Sequence, residues 1–189
     1  MQQEEAISFA IDHAQEAMDR AIKHLQDELN KVRTGKASPA MLSGLMVSYY
    51  GNPTPLNQVA NVSIADARTV VIQPWEKPMI QHIEKAIFEA NLGVSPQNDG
   101  EMIRLSIPPL TEERRKEMVK KTKTMGEDTK VGIRNARRDA MEEIKKAVKD
   151  GYPEDGGKRK ETEVQALTDN FIKKVDQIIE VKDKEIMTV

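Results

Sequence analysis

The sequence predicts an α+β protein, an elongated three-helix bundle carrying an inserted small β/α domain that is joined to it by two hinge linkers. Three observations carry this prediction. From Thr111 to Lys149 the chain passes without a proline, interrupted only by Gly126 and Gly132, which is the pattern of one long helix. Helical apolar period also marks the first 32 residues and the stretch from Val164 to Ile178. Between them, from Ala40 to Ile107, the period falls toward two and the runs become β-branched. Bundle residues are therefore expected at 1–33 and 108–189, the insert at 34–107, and hinge segments at 34–39 and 106–110.

The first helix, from about Gln3 to Val32, follows from Ile7, Ile11, Ala14, Met18, Ile22, Leu25, Leu29 and Val32, which recur at steps of three and four and make one buried stripe. Gly35 and Pro39 break it, and Arg33 to Pro39 reads as the first linker. In the insert, strands are expected at Leu45–Tyr50, Val59–Ile64, Thr69–Gln73 and Met102–Ile107, with turns at Gly51-Asn52-Pro53 and Asn98-Asp99-Gly100. One helix interrupts them, from about Lys77 to Asn91, with Ile80, Ile83, Ile87 and Phe88 on one face. Pro108-Pro109-Leu110 is the second linker, and Thr111 followed by Glu112 and Glu113 supplies an N-cap and acidic first turn for the long helix. Asp150 to Gly157 reads as a loop, and a third long helix follows, with Val164, Leu167, Phe171, Val175 and Ile178 as its stripe. Gly35, Lys36, Ala37, Ser38, Pro108 and Pro109 are the expected hinge.

Composition narrows the function. Of 189 residues, 32% are charged and 4% aromatic, which suits slim helical layers with solvated outer faces. The absence of cysteine excludes disulfides, thiolate metal sites and cysteine nucleophiles. No apolar run approaches the length of a membrane span and the amino terminus is acidic, so a cytoplasmic protein without membrane contact is expected. Net charge is −2, but residues 111–150 hold thirteen Lys and Arg against nine Asp and Glu, leaving −6 for everything else. Local potential governs binding to a polyanion, and the positive charge is gathered on the long helix.

On that helix Ala136, Ala140, Ile144 and Ala147 cluster with Ile133 as the buried stripe, and Lys130, Arg134, Arg137 and Arg138 fall together on one flank. Arg137 lies nearest the apolar edge, where packing of its stem would hold the guanidinium ready for a phosphate. A solvated face with pairs to Glu127, Asp139 or Glu142 accounts for the same residues. Arg33 and Arg104 read equally as further contacts, hinge supports or partners of nearby carboxylates. Tyr49, Tyr50 and Trp75 could stack on bases, although strand aromatics are more often core. Enzyme readings find no support. His13 and His24 lack companion ligands, Gly35-Lys36-Ala37-Ser38 lacks the first glycine and the hydroxyl of a phosphate loop, and no nucleophile, base and oxyanion set assembles. No catalytic residue, metal or cofactor is expected.

Five stretches together resemble the ribosome recycling factors of bacteria and organelles over essentially the whole chain: Lys31 to Pro39, Tyr49 to Leu56, Leu92-Gly93-Val94, Pro108 to Lys116 and Val131 to Asp139. Lys36 stands where many members have Arg, and the loop from Gly151 to Gly157 is variable in the family. The resemblance implies a non-catalytic monomer that binds the ribosome after peptide release and, with elongation factor G and GTP, splits it into subunits. It also implies that Arg134, Arg137 and Arg138, with Arg114 or Arg115, touch large-subunit ribosomal RNA. A helical adaptor pairing with a partner coiled coil is the rival reading, though an adaptor needs no arginine cluster.

Overall fold

The computed structural model describes residues 1–32 and 34–188; Arg33 lies outside the described residues. Two compact units emerge, Met1–Val32 with Lys116–Val189, and Arg33–Arg115.

The first unit is helical: α1 (Gln2–Asn30), α3 (Glu112–Lys149) beyond its first turn, and α4 (Glu154–Met187). Ile7, Ile11 and Ala14 of α1 pack with Ala140, Ile144 and Val164. Met18, Leu25 and Leu29 pack with Ile133, Phe171, Val175 and Ile186. The pairing order makes α1 antiparallel to α3 and parallel to α4. Ile22, expected in the α1 stripe, is only half-buried.

Buried positions along α3 include Gly126, Ile133, Ala140 and Ala147, each seven residues after the last, the repeat of supercoiled helices. Gly126 is a contact, because a Cβ placed there would lie 2.9 Å from Ile179 Cγ1 of α4. Thr122, fully buried, donates from its hydroxyl toward Asp183 Oδ1 at 2.6 Å and toward the Val119 carbonyl at 2.8 Å; its single proton serves one at a time.

The loop expected through Gly157 is shorter than that. Pro153 precedes a helix starting at Glu154, so Gly156 and Gly157 are helical. Their small size explains why: a Cβ on Gly157 would stand 2.6 Å from Val148 Cγ2, and one on Gly156 would stand 2.9 Å from the Tyr152 ring. Composition here signals close helix approach and only secondarily a turn.

Among the described residues the second unit has six strands and one α-helix. β1 (Met46–Tyr49) and β2 (Asn52–Pro55) form a hairpin, while β3 (Ala60–Asp66), β4 (Thr69–Pro74), β5 (Pro96–Asn98) and β6 (Ile103–Ser106) form an antiparallel sheet in the order β3-β4-β6-β5. Helix α2 (Met79–Glu89) buries Ile80, Ile83 and Ile87 against Val47, Ile72, Ile103 and Leu105. Phe88 does not share that face; it is 65% exposed. The tight turn of the first hairpin is Tyr50-Gly51, both at positive φ, so Asn52 and Pro53 lie in β2 and not in the turn. Two prolines are tolerated there because β2 has a partner on one side only. In the Asn98–Gly100 turn, Asp99 Oδ1 accepts from the Met102 and Glu101 amides, which holds its carboxyl below the usual 3.8.

The two glycines inside α3 should respond oppositely to alanine. Nothing lies within 4 Å of a Cβ at Gly132, so Gly132→Ala should gain helix propensity and raise stability by roughly 0.5–1 kcal/mol. Gly126→Ala should lower it by about 1 kcal/mol as Ile179 is displaced. Urea unfolding of the two variants checks the signs.

Candidate nucleic-acid interface

Lys130, Arg134, Arg137 and Arg138 lie within a little over two turns of α3, on the flank beside α4. Bonds from Lys130 and Arg137 to α4 fix that side, and helical spacing places Arg134 and Arg138 beside them. Lys130 Nζ reaches Asp176 Oδ1 of α4 at 2.6 Å and Glu127 Oε1 of its own helix at 3.4 Å, and only 15% of its side chain is exposed. The hydrogen bond to Asp176, with a smaller contribution from Glu127, holds the Lys130 ammonium above its ordinary 10.5. Lys130 is thus a bundle cation whose charge is locally balanced.

The three arginines differ. Arg134 and Arg138 are exposed, and Arg137 is half-buried. Among the described residues, none of their guanidinium groups pairs with a carboxylate, so the pairs conceivable with Asp139 or Glu142 are not formed. Arg137 Nη1 donates to Gln165 Oε1 of α4 at 2.9 Å, and its Nε is buried without a partner. Gln165 Nε2 in turn donates to Asp169 Oδ1 at 2.9 Å. Gln165, Asp169 and Asp176 were not singled out from sequence. No local sequence signal marks them; the antiparallel register of the folded helices, in which seven residues onward along α3 correspond to seven back along α4, brings them opposite.

Arg114 and Arg115 stand in the first turn of α3, roughly five turns before Arg134, and the structure does not gather them into the same cluster. The Thr111 hydroxyl accepts from the Arg114 amide at 3.2 Å, the expected N-cap. Arg115 is half-buried, with its Nε enclosed and unbonded. Arg104 is exposed on β6, opposite Val71 and Gln97.

The expected core placement of the aromatics is incorrect for two of three. Tyr50 is 75% and Trp75 65% exposed, while Tyr49 is half-buried. The Tyr50 hydroxyl donates to Glu76 Oε2 at 2.9 Å and the Tyr49 hydroxyl to Oε1 at 3.0 Å. The hydrogen bond of each phenol to Glu76 raises it above its ordinary 10.0, and together the two bonds brace the left-handed backbone at Tyr50.

The segments expected to form the hinge meet within the second unit. Gly35 has φ +75°, and a Cβ there would lie 3.3 Å from Leu110 Cγ. The Ala37 amide donates to the Ala67 carbonyl at 2.7 Å and the Ile107 amide to the Arg68 carbonyl at 2.8 Å, so both segments are tethered to the β3–β4 turn. Ser38 Oγ accepts from the Ala40 amide at 3.2 Å and caps the short 3-10 turn Pro39–Leu42.

The sequence model of the family described as Ribosome recycling factor matches residues 25–187. The chain belongs to the ribosome recycling factor family. A ribosome-recycling factor from Porphyromonas gingivalis is 56% identical over 91% of this chain and 93% of its own length. One from Flavobacterium psychrophilum is 53% identical over 98% of this chain and 99% of its own. A solution structure of the ribosome recycling factor matches with TM-score 0.82 at 37% identity, covering 97% of this chain and 98% of that one. A second structure gives models for the T. thermophilus ribosome recycling factor and the E. coli elongation factor G bound to the E. coli post-termination complex. It matches over the full length of both chains with TM-score 0.64 and 42% identity. Family membership agrees with the α+β architecture of long helices and a small β-containing unit. Among the described residues of this recycling factor chain, no helix is long and apolar enough to cross a membrane, and no three potential ligands gather as for a metal.

The Lys130–Asp176 pair makes a signed pH expectation. Its folded-state pKa is raised, so its stabilisation is fully present below the ordinary 10.5 and is lost as pH rises through the higher folded value. Asp176 is 60% exposed, which limits the effect to about 0.5–1 kcal/mol. Wild type should exceed Lys130→Met in stability by that amount at pH 8, and the gap should close in strongly alkaline urea titrations.

Proposed function

We propose that this protein binds the post-termination ribosome and, with elongation factor G and GTP, splits it into subunits, with no catalysis of its own. Family membership supports the activity, and one observation supports the interface: among the described residues, none of Arg134, Arg137 and Arg138, which share a flank of α3, pairs with a carboxylate. Three guanidinium groups without carboxylate partners over about one helical turn suit the chemistry of a phosphate backbone. Large-subunit ribosomal RNA is the proposed ligand, with Arg114 and Arg115 as a separate contact. Lys130, neutralised by Asp176, is assigned a supporting role in placing α3 against α4. The β-containing unit is the part on which the motor acts. Force passes through the two linkers, pivoting at Gly35–Lys36 and Pro108–Pro109, outward of the tethers at Ala37 and Ile107. The protein acts as a cytoplasmic monomer.

Sedimentation of post-termination ribosomes with this protein, elongation factor G and GTP tests the activity. Subunits should separate beyond a control lacking the protein, and failure to do so contradicts the proposal. Arg137→Ala should weaken ribosome binding about tenfold or more, shift melting little, and lower the salt slope by about one. Loss of folding in parallel would make Arg137 a structural residue. For the hinge, Gly35→Val forces a β-branched residue into φ +75° against Leu110 and should slow splitting more than it weakens binding. Unaltered splitting by a folded Gly35→Val protein would remove the mechanical role of that linker.

A further inference from the structure

Two cations on the α3 flank occupy equivalent places in the helical repeat yet are treated differently. Lys130 meets Asp176 directly. Seven residues on along α3 and seven back along α4, the same relation sets Arg137 against Asp169, but the guanidinium does not pair with that carboxylate. It bonds to Gln165 Oε1, and Gln165 Nε2 bonds to Asp169 Oδ1, each at 2.9 Å. An amide has an acceptor end and a donor end, so a cation on one side and a carboxylate on the other fix its orientation. Asp169 thereby holds the amide, and the amide holds the arginine.

We propose that Gln165 is the positioning residue for Arg137, interposing a neutral amide between guanidinium and Asp169 so that the arginine is oriented while its charge stays available to an RNA phosphate. This rests on the reading of Arg137 as an RNA contact. A direct arginine–carboxylate fork would orient the side chain as well, but the carboxylate would compete with phosphate for the same N–H groups. Gln165 occupies one nitrogen and no charge. The buried, unbonded Nε of Arg137 fits a side chain constrained by its surroundings, since a freely rotating arginine would hydrate that N–H. Along the seam, therefore, Lys130 secures the helices and Arg137 is kept for the ligand.

The discriminating variant is Gln165→Glu, which preserves size and reach but offers Arg137 a carboxylate. Ribosome binding by sedimentation, at one fixed salt concentration, is compared for wild type, Gln165→Glu, Arg137→Ala and the double variant, with melting of each. Gln165→Glu should bind about tenfold more weakly while melting at or above the wild-type temperature, because the new pair helps the bundle and occupies the arginine. In the Arg137→Ala background the same change should cost less than about twofold. Asp169→Ala, which releases the amide, should give a smaller loss than Gln165→Glu and only when Arg137 is present. Wild-type binding by Gln165→Glu when Arg137→Ala binds weakly overturns the proposal and leaves the RNA reading intact. Equal losses from Gln165→Glu in both backgrounds overturn it too, since they report general repulsion. Wild-type binding by Arg137→Ala overturns both.

Discussion

The close antiparallel seating of α4 on α3 is the constraint on which the helical unit depends. It is set by what the two helices omit as much as by what they present. Gly126 lets Ile179 lie where a Cβ would be, and Gly157 does the same for Val148 at the other end of the seam. With the backbones held this near at two points, one register is imposed between them. That register brings Thr122 to Asp183, Lys130 to Asp176 and Arg137 to Gln165. A slip of one residue would turn each of these side chains about 100° from its partner and expose the buried column led by Ile133 and Ile144.

The register also divides labour among cations that look alike in sequence. Lys130 is half-buried and paired with the carboxylates of Asp176 and Glu127, whereas Arg134 and Arg138 are exposed and Arg137, also half-buried, is bound to a neutral amide. Surface ion pairs contribute little to stability, so leaving three arginines without carboxylates costs the bundle little. For binding to a polyanion the consequence is larger, because each uncompensated guanidinium can displace a counterion. The same helix thus contributes an apolar seam to the fold and a charged flank to the proposed function.

Much of this was legible in the sequence, for identifiable reasons. Long helices with seven-residue repetition announce themselves, and so do alternating runs such as Val59–Ile64 and Thr69–Gln73, which became β3 and β4. The short edge strands β2 and β5 were missed because Asn52-Pro53-Thr54-Pro55 and Pro96-Gln97-Asn98 have loop composition and are strands only through their pairing partners. Gly156 and Gly157 misled toward a loop because glycine marks tight packing as readily as a turn. At the site, the arginine flank followed from a helical wheel alone. Its division into balanced and unbalanced cations did not, because Asp176, Gln165 and Asp169 belong to another helix and only tertiary register brings them opposite.

In the proposed function the α4-side flank of α3 faces ribosomal RNA with Arg137 held ready for phosphate. A cryo-EM map of this protein on the post-termination ribosome tests it most directly. The Arg137 guanidinium should stand within about 3 Å of a large-subunit RNA phosphate oxygen, its bond to Gln165 intact. A map with RNA against another face of the bundle and Arg137 directed to solvent would contradict it.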